Sequence, residues 1–128
     1  MIPLVGYTTI SGIPIGRLLS SESIKRVVET TRSCAMEVIK LKGATIHAPA
    51  SAVAVMADAV LNDRKRVTSA SVVPNGEYGL MDVAIGLPVV LGKNGVEKII
   101  ELELNADEKK QLSEAASSIQ SVILQSLG

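Results

Sequence analysis

A chain of 128 residues fits one domain and is long enough to bury a core, while a second domain of ordinary size does not fit. Thirteen basic residues balance thirteen acidic ones, so no net field draws the chain to nucleic acid or to an anionic membrane surface. Tyr7 and Tyr78 are the whole aromatic complement, which implies an aliphatic core and leaves no stacking platform for bases.

Residues 2–15 carry Pro3, Gly6, Gly12 and Pro14 among β-branched side chains and read as a short extended piece with irregular ends. A long helix is expected next. Ser20 or Ser21 can cap it, and Glu22 falls in its first turn, where the helix dipole favours negative charge. Ile24, Val27, Val28, Thr31, Ala35, Val38 and Ile39 recur at the spacing that stacks side chains on one helical face. Cys34 lies within this helix as a small hydrophobe. Gly43 ends it, since a helix C-terminus commonly takes a left-handed residue, and Lys40 and Lys42 sit where the last carbonyls favour positive charge. Pro49 suits the first turn of a second helix, where its missing N–H would have no intrahelical partner. That helix is expected over residues 49–63, with Val53, Met56, Ala57, Val60 and Leu61 on one stripe. Arg64-Lys65-Arg66 at its end reads as a solvated basic run that complements the dipole.

From Val67 the pattern becomes that of strands, over residues 67–73, 81–85 and 88–91, with a turn at Pro74-Asn75-Gly76. Gly92-Lys93-Asn94-Gly95 supplies a hairpin turn into residues 96–104, where Ile100, Leu102 and Leu104 alternate with Glu101 and Glu103. Asn105 with Glu108 three residues on forms a capping box, which opens a last helix striped by Leu112, Ala115, Ala116, Ile119, Val122 and Ile123. The expected fold is α+β, an antiparallel sheet covered by long amphipathic helices, in one domain over residues 1–128.

Chemistry-bearing residues are few. His47 is the only side chain whose ordinary pKa lies near neutrality, yet no acidic residue stands near it in sequence to orient an imidazole. A structural or pocket-wall role is the reading we adopt. One histidine and one cysteine at no ligand spacing argue against a metal site, and Cys34 alone cannot form an internal disulfide. Asn75-Gly76-Glu77-Tyr78-Gly79 is glycine-rich but lacks the strand-to-helix grammar of a phosphate loop, and reads as a turn. Thr45 lies between two helices, where its hydroxyl reaches either a ligand or a backbone carbonyl. No apolar run has the length of a transmembrane helix or the flanks of a signal peptide, so a soluble, cytoplasmic protein is expected.

Four segments together resemble the C-terminal, substrate-side domain of the lactate/malate dehydrogenase family, and more its malate dehydrogenases than its lactate dehydrogenases. They are MIPLVGYTTISGIPI, KGATIHAPASAV, the strand block SASVVPNGEYGLMDVAIGLPVVLGKNGVEKIIELEL, and NADEKKQLSEAASSIQSVI, in that order along essentially the whole chain. The resemblance implies hydride transfer between NAD or NADP and a 2-hydroxy acid, malate to oxaloacetate, with the cofactor carrying the chemistry and the protein orienting it. It implies Thr45 and His47 as substrate-pocket residues and Pro49 as a residue beside the nicotinamide. The family's catalytic histidine would stand just before Met1, so no catalytic residue is assigned to this chain, and isolated it is expected to be inactive. The implied partners are the N-terminal nucleotide-binding half and further copies in a homo-oligomer, dimer or tetramer. Two alternatives remain at this point: a lactate dehydrogenase, and a non-enzymatic self-associating module that keeps the fold.

Overall fold

In the computed structural model, which describes residues 2–127, Ser11 and Gly12 both take left-handed conformations, with φ of 51° and 82°. Two positive φ values in succession suit a tight two-residue hairpin turn. It pairs β1 (Thr9–Ile10) with β2 (Ile13–Pro14), Thr9 opposite Pro14 and Ile10 opposite Ile13. A 3-10 turn over Val5–Tyr7 precedes the hairpin and a one-turn helix, α1 (Ile15–Leu18), follows it. The extended piece expected over residues 2–15 is therefore a hairpin between helical turns. The turn was missed because Ser11 is not a residue type that announces positive φ.

Helix α2 (Ser21–Lys42) starts and stops as its local chemistry dictates. Ser20 Oγ accepts from Ser23 N at 3.2 Å, and Gly43, at φ 78°, donates its N–H to Ile39 O at 2.7 Å. Its apolar stripe is not core: Ile24, Val28 and Val38 are half-buried, while Val27, Thr31, Ala35 and Ile39 are exposed. Cys34 is exposed as well, and so does not fill the core as expected.

The chain divides into two compact units, Met1–Pro49 and Ala50–Gly128. Helix α3 (His47–Leu61) begins two residues earlier and ends two earlier than its sequence suggested, because Pro49 serves as its third residue and Asp63, at φ 47°, already belongs to the turn out. The second unit holds β3 (Arg66–Val72), β4 (Ile85–Gly92) and β5 (Gly95–Ile99) in the order β3-β4-β5, both pairings antiparallel. Its core centres on β4, where Ile85, Leu87, Val89 and Leu91 are buried in alternation, with Val83 just before it. Leu112 and Ala116 of α4 (Ala106–Leu127) and Ala59 of α3 are buried in the same unit. The α+β architecture with antiparallel strands is as expected.

Of the strands expected at 81–85 and 88–91, residues 81–84 are not strand; the rest is one strand, β4 over Ile85–Gly92, with Pro88 inside it. A proline lacks a ladder donor and is normally confined to edges. Here Pro88 O accepts from Ile100 N at 2.8 Å, so its backbone faces β5 just beyond the end of that strand. The missing donor coincides with the point where pairing stops, and β5 covers 95–99 instead of the expected 96–104. Beyond it the alternation persists, Leu102 and Leu104 half-buried and Glu101 and Glu103 exposed. Tyr78 replaces the ladder there: its hydroxyl donates to Ile100 O at 2.9 Å and accepts from Leu102 N at 2.8 Å. Between Leu91↔Val96 and Val90↔Lys98 the register shifts, leaving Glu97 as an extra, unpaired residue in β5. The capping box of α4 forms as read, Glu108 N donating to Asn105 Oδ1 and Asn105 N to Glu108 Oε2, both at 2.9 Å.

Candidate functional site

Gly43 closes α2 and α3 opens at His47, so Thr45, His47 and Pro49 fall within one short stretch of chain. Thr45 is half-buried, and His47 and Pro49 are exposed as the first and third residues of α3. Pro49 costs the helix nothing, since the N–H groups of a first turn have no partner within the helix. Residues two apart on a helix do not share a face, so His47 and Pro49 project to different sides. Between Glu37 and Asp58 the chain carries Lys40, Lys42 and His47 and no carboxylate, and α3 has no acidic residue in its first turn. The sequence-local charge is positive, joined to the positive end of the α3 dipole. Among the described residues, His47 has no hydrogen-bonded carboxylate partner that would orient it as a general base. Met1, ahead of which the family's catalytic histidine is expected, lies outside the described residues.

The basic run 64–66 is more engaged than its sequence suggested. Arg64 Nε lies 3.3 Å from Asp58 Oδ2, and Asn62 donates to Asp58 Oδ1 at 2.7 Å; the Asn62 amide and then Arg64 hold the Asp58 carboxyl below its usual range. Lys65 Nζ lies 3.0 Å from Asp63 Oδ1 and 2.5 Å from Glu97 Oε2. Glu97 first and Asp63 second raise the Lys65 pKa above its usual value, while the Lys93 amide and then Lys65 lower that of Asp63. Asp63 Oδ1 also accepts from Lys93 N at 2.9 Å, so this clip ties the exit of α3 to the β4–β5 hairpin. Its one ammonium is shared by two carboxylates, and each of the three side chains has a partner, which marks it as structural.

The glycine-rich turn at 75–79 commits four of its backbone donors within the protein. Asn75 N donates to the Glu77 carboxylate at 2.6 Å, Gly76 N to Leu80 O at 3.0 Å, Tyr78 N to the Glu101 carboxylate at 3.0 Å and Gly79 N to Gly76 O at 2.9 Å. The turn instead borders an open cleft of about 860 Å³, with Leu80, Leu102, Leu104 and Leu112 in its lining and Glu101, Glu103 and Lys109 around it. None of Thr45, His47 and Pro49 lines this cleft, and the sequence carried no signal for it because the wall at 78–80 lies more than twenty residues from those at 101–104 and 109–113.

Residues 2–127 match the family model described as lactate/malate dehydrogenase, alpha/beta C-terminal domain. This chain belongs to the lactate/malate dehydrogenase family, as its C-terminal domain. Among curated relatives of this C-terminal domain, it is 45% identical over 121 residues to the malate dehydrogenase of Thioalkalivibrio sulfidiphilus, covering 93% of the chain and 39% of that protein. It is 43% identical over 122 residues to that of Salinibacter ruber, covering 94% of the chain and 39% of the relative. The solved Salinibacter ruber malate dehydrogenase superposes with a TM-score of 0.94 over 98% of this chain and 42% of that one, at 43% identity. The malate dehydrogenase from Aeropyrum pernix superposes with a TM-score of 0.90 over 94% of this chain and 40% of that one, at 33% identity. The domain thus spans about two fifths of the length of the relatives it matches.

Proposed function

We propose that residues 1–128 act as one domain, the substrate-side half of an NAD(P)-dependent malate dehydrogenase that converts malate to oxaloacetate. The observation that carries this reading is similarity to malate dehydrogenases along 93% of the chain or more, over two fifths of their length. NAD or NADP, when bound, would supply the acceptor for the hydride that leaves C2 of the acid. The residues present fit one side of such a pocket: Thr45 and His47 line the substrate and Pro49 borders the nicotinamide, and their open surfaces leave room for both. The different directions of His47 and Pro49 suit two adjoining subsites. The carboxylate-free stretch from 38 to 57 avoids like-charge repulsion of a dianionic acid. The acid–base histidine is assigned just ahead of Met1, and its orienting aspartate and the substrate arginines to sequence upstream of this domain, which with further copies of the protein makes a homo-oligomer in the cytoplasm.

Malate-dependent reduction of NAD and NADP tests this. The purified 128-residue chain is expected to show none, and the chain joined to a family N-terminal half to show turnover, with lactate a poorer substrate than malate. Turnover by the 128 residues alone refutes the assignment of the catalytic groups. A second reading, a non-enzymatic module that self-associates, draws on the exposed apolar side chains of α2, namely Val27, Met36 and Leu41. A joined protein that folds and assembles but never turns over malate or lactate favours it.

A further inference from the structure

Four asparagines stand in this chain, and the fold holds them differently. An asparagine is thermolabile because the backbone nitrogen of the next residue can attack its side-chain carbonyl carbon, and a glycine there, with no Cβ, leaves that approach open. Asn62 and Asn105 precede Asp63 and Ala106, and both are held: the Asn62 amide donates to Asp58 Oδ1 at 2.7 Å, and Asn105 Oδ1 accepts from Glu108 N at 2.9 Å. Asn75 and Asn94 precede glycines, Gly76 and Gly95.

These two steps are not equivalent in the fold. At the first, the attacking nitrogen is engaged, since Gly76 N donates to Leu80 O at 3.0 Å. Pro74 before it is buried, Asn75 N donates to the Glu77 carboxylate and Tyr78 N to the Glu101 carboxylate, so the turn is fixed on both sides of the reacting atoms. At the second, Asn94 is exposed at the tip of the β4–β5 hairpin, and its amide has, among the described residues, one long contact, 3.4 Å to Glu97 Oε1. Gly92↔Gly95 is the last pair of that hairpin, and an end pair opens locally far more readily than a core strand. Opening it presents Gly95 N to Asn94 and leaves the rest of the sheet paired.

We propose that Asn94 is a site of spontaneous deamidation in the folded chain, and that the fold spares Asn75. Gly95 N bonds to Asn94 Cγ and the Cγ–Nδ2 bond breaks; the Gly95 proton passes through water to the departing nitrogen, which leaves as ammonia. The cyclic imide so formed takes up one water. Addition at Cγ gives aspartate, and addition at the main-chain carbonyl gives isoaspartate, in which the chain runs through the side chain. Water is the co-reactant, and nothing is oxidised or reduced. Either product adds a carboxylate where negative charge already gathers. A Cβ on Gly92 would meet Glu97 Oε1 at 2.6 Å and Asp63 Oδ1 at 2.8 Å, so these two carboxylates converge on one spot and share the Lys65 ammonium. A third carboxylate beside Glu97 repels it and loosens the clip. The proposal stands apart from residues 45–49 and from dehydrogenase activity.

The test incubates the 128-residue chain at mildly alkaline pH, natively and in urea, until half of each Asn-Gly step in the urea sample has reacted. Peptide mapping with isoaspartate methyltransferase labelling then locates the products. In urea both steps are expected to react alike; in the native chain position 94 is modified and position 75 stays intact. Asn94→Gln, which moves the amide one carbon farther from Gly95 N, should abolish the native signal. Asn94→Asp carries the product charge, and is expected to speed amide exchange at Lys93, whose N–H donates to Asp63 Oδ1, with Val89 unchanged. A native chain that reacts at 75 as fast as at 94, or at neither, overturns the site. Exchange at Lys93 that keeps its parental rate in Asn94→Asp overturns the effect on the clip.

Discussion

Replacing Tyr78 with Phe removes one oxygen from a position that two backbone groups depend on. The hydroxyl donates to Ile100 O at 2.9 Å and accepts from Leu102 N at 2.8 Å, both in part-buried surroundings, where β5 has ended and no ladder exists to take over. A net contribution of about 0.5–1.5 kcal/mol per hydrogen bond gives a loss of about 2 kcal/mol for the pair, a large share of the 5–15 kcal/mol typical of a whole domain. The ring stays and so does its packing, which confines the change to hydrogen bonding. Urea unfolding of the parent and Tyr78→Phe chains should show that loss as a shifted midpoint at unchanged slope. Amide exchange at Leu102 should accelerate more than at Val89, because the variant frees the segment 100–104 before the sheet opens. A stability change below about 0.5 kcal/mol with unaltered exchange at Leu102 would refute the claim that the phenol stands in for a strand partner.

Val89 is fully buried at the centre of β4, so Val89→Ala, which deletes two methyl groups and leaves a cavity, is expected to cost about 2–3 kcal/mol in the same assay; a loss under 1 kcal/mol would place the core elsewhere. Glu108→Ala leaves Asn105 N without its acceptor and should destabilise by about 1 kcal/mol, visible as faster exchange confined at first to the start of α4. The clip of Asp63, Lys65 and Glu97 has a definite pH dependence. The Asp63 carboxyl is held below 3.8 in the fold, so its contribution is complete above that value and disappears as pH falls through the lower folded pKa. Lys65 is raised above 10.5, so its contribution is complete below that value and disappears as pH rises through the raised one. Stability from the clip is therefore flat across neutral pH. Lys65→Met should move the Asp63 titration part of the way back toward 3.8 by carboxyl NMR, leaving the share due to the Lys93 amide; an unmoved midpoint would mean the ion pair does not form in solution.

Local chemistry was legible in the sequence and cross-chain geometry was not. Ser20, Gly43, Asn105 and Glu108 mark helix ends through bonds to neighbours three or four residues away, so residue type and spacing suffice to find them. Pro88 misled because its tolerance inside a strand depends on where a partner strand stops, which no local pattern encodes. The apolar periodicity of α2 predicted a helix correctly and burial incorrectly, since periodicity fixes a face but not what lies against it. At the candidate site, the place of Thr45, His47 and Pro49 at the meeting of two helices was legible from Gly43 and Pro49, while their pocket roles come from the family resemblance alone. The partners of Lys65 were not, because Glu97 lies thirty-two residues away and reaches it only through a register shift.

That register shift separates two properties that usually change together. Glu97 is the one residue of β5 without a partner, so removing its codon in frame would set Lys98 directly after Val96 and leave Val90↔Lys98, Val89↔Ile99 and the Ile100–Pro88 bond with their present partners. The same deletion takes away the carboxylate that holds Lys65. A shortened hairpin would keep its pairing while the connection from α3 lost one of its two anions, so the strand carries a residue whose use is tethering rather than pairing.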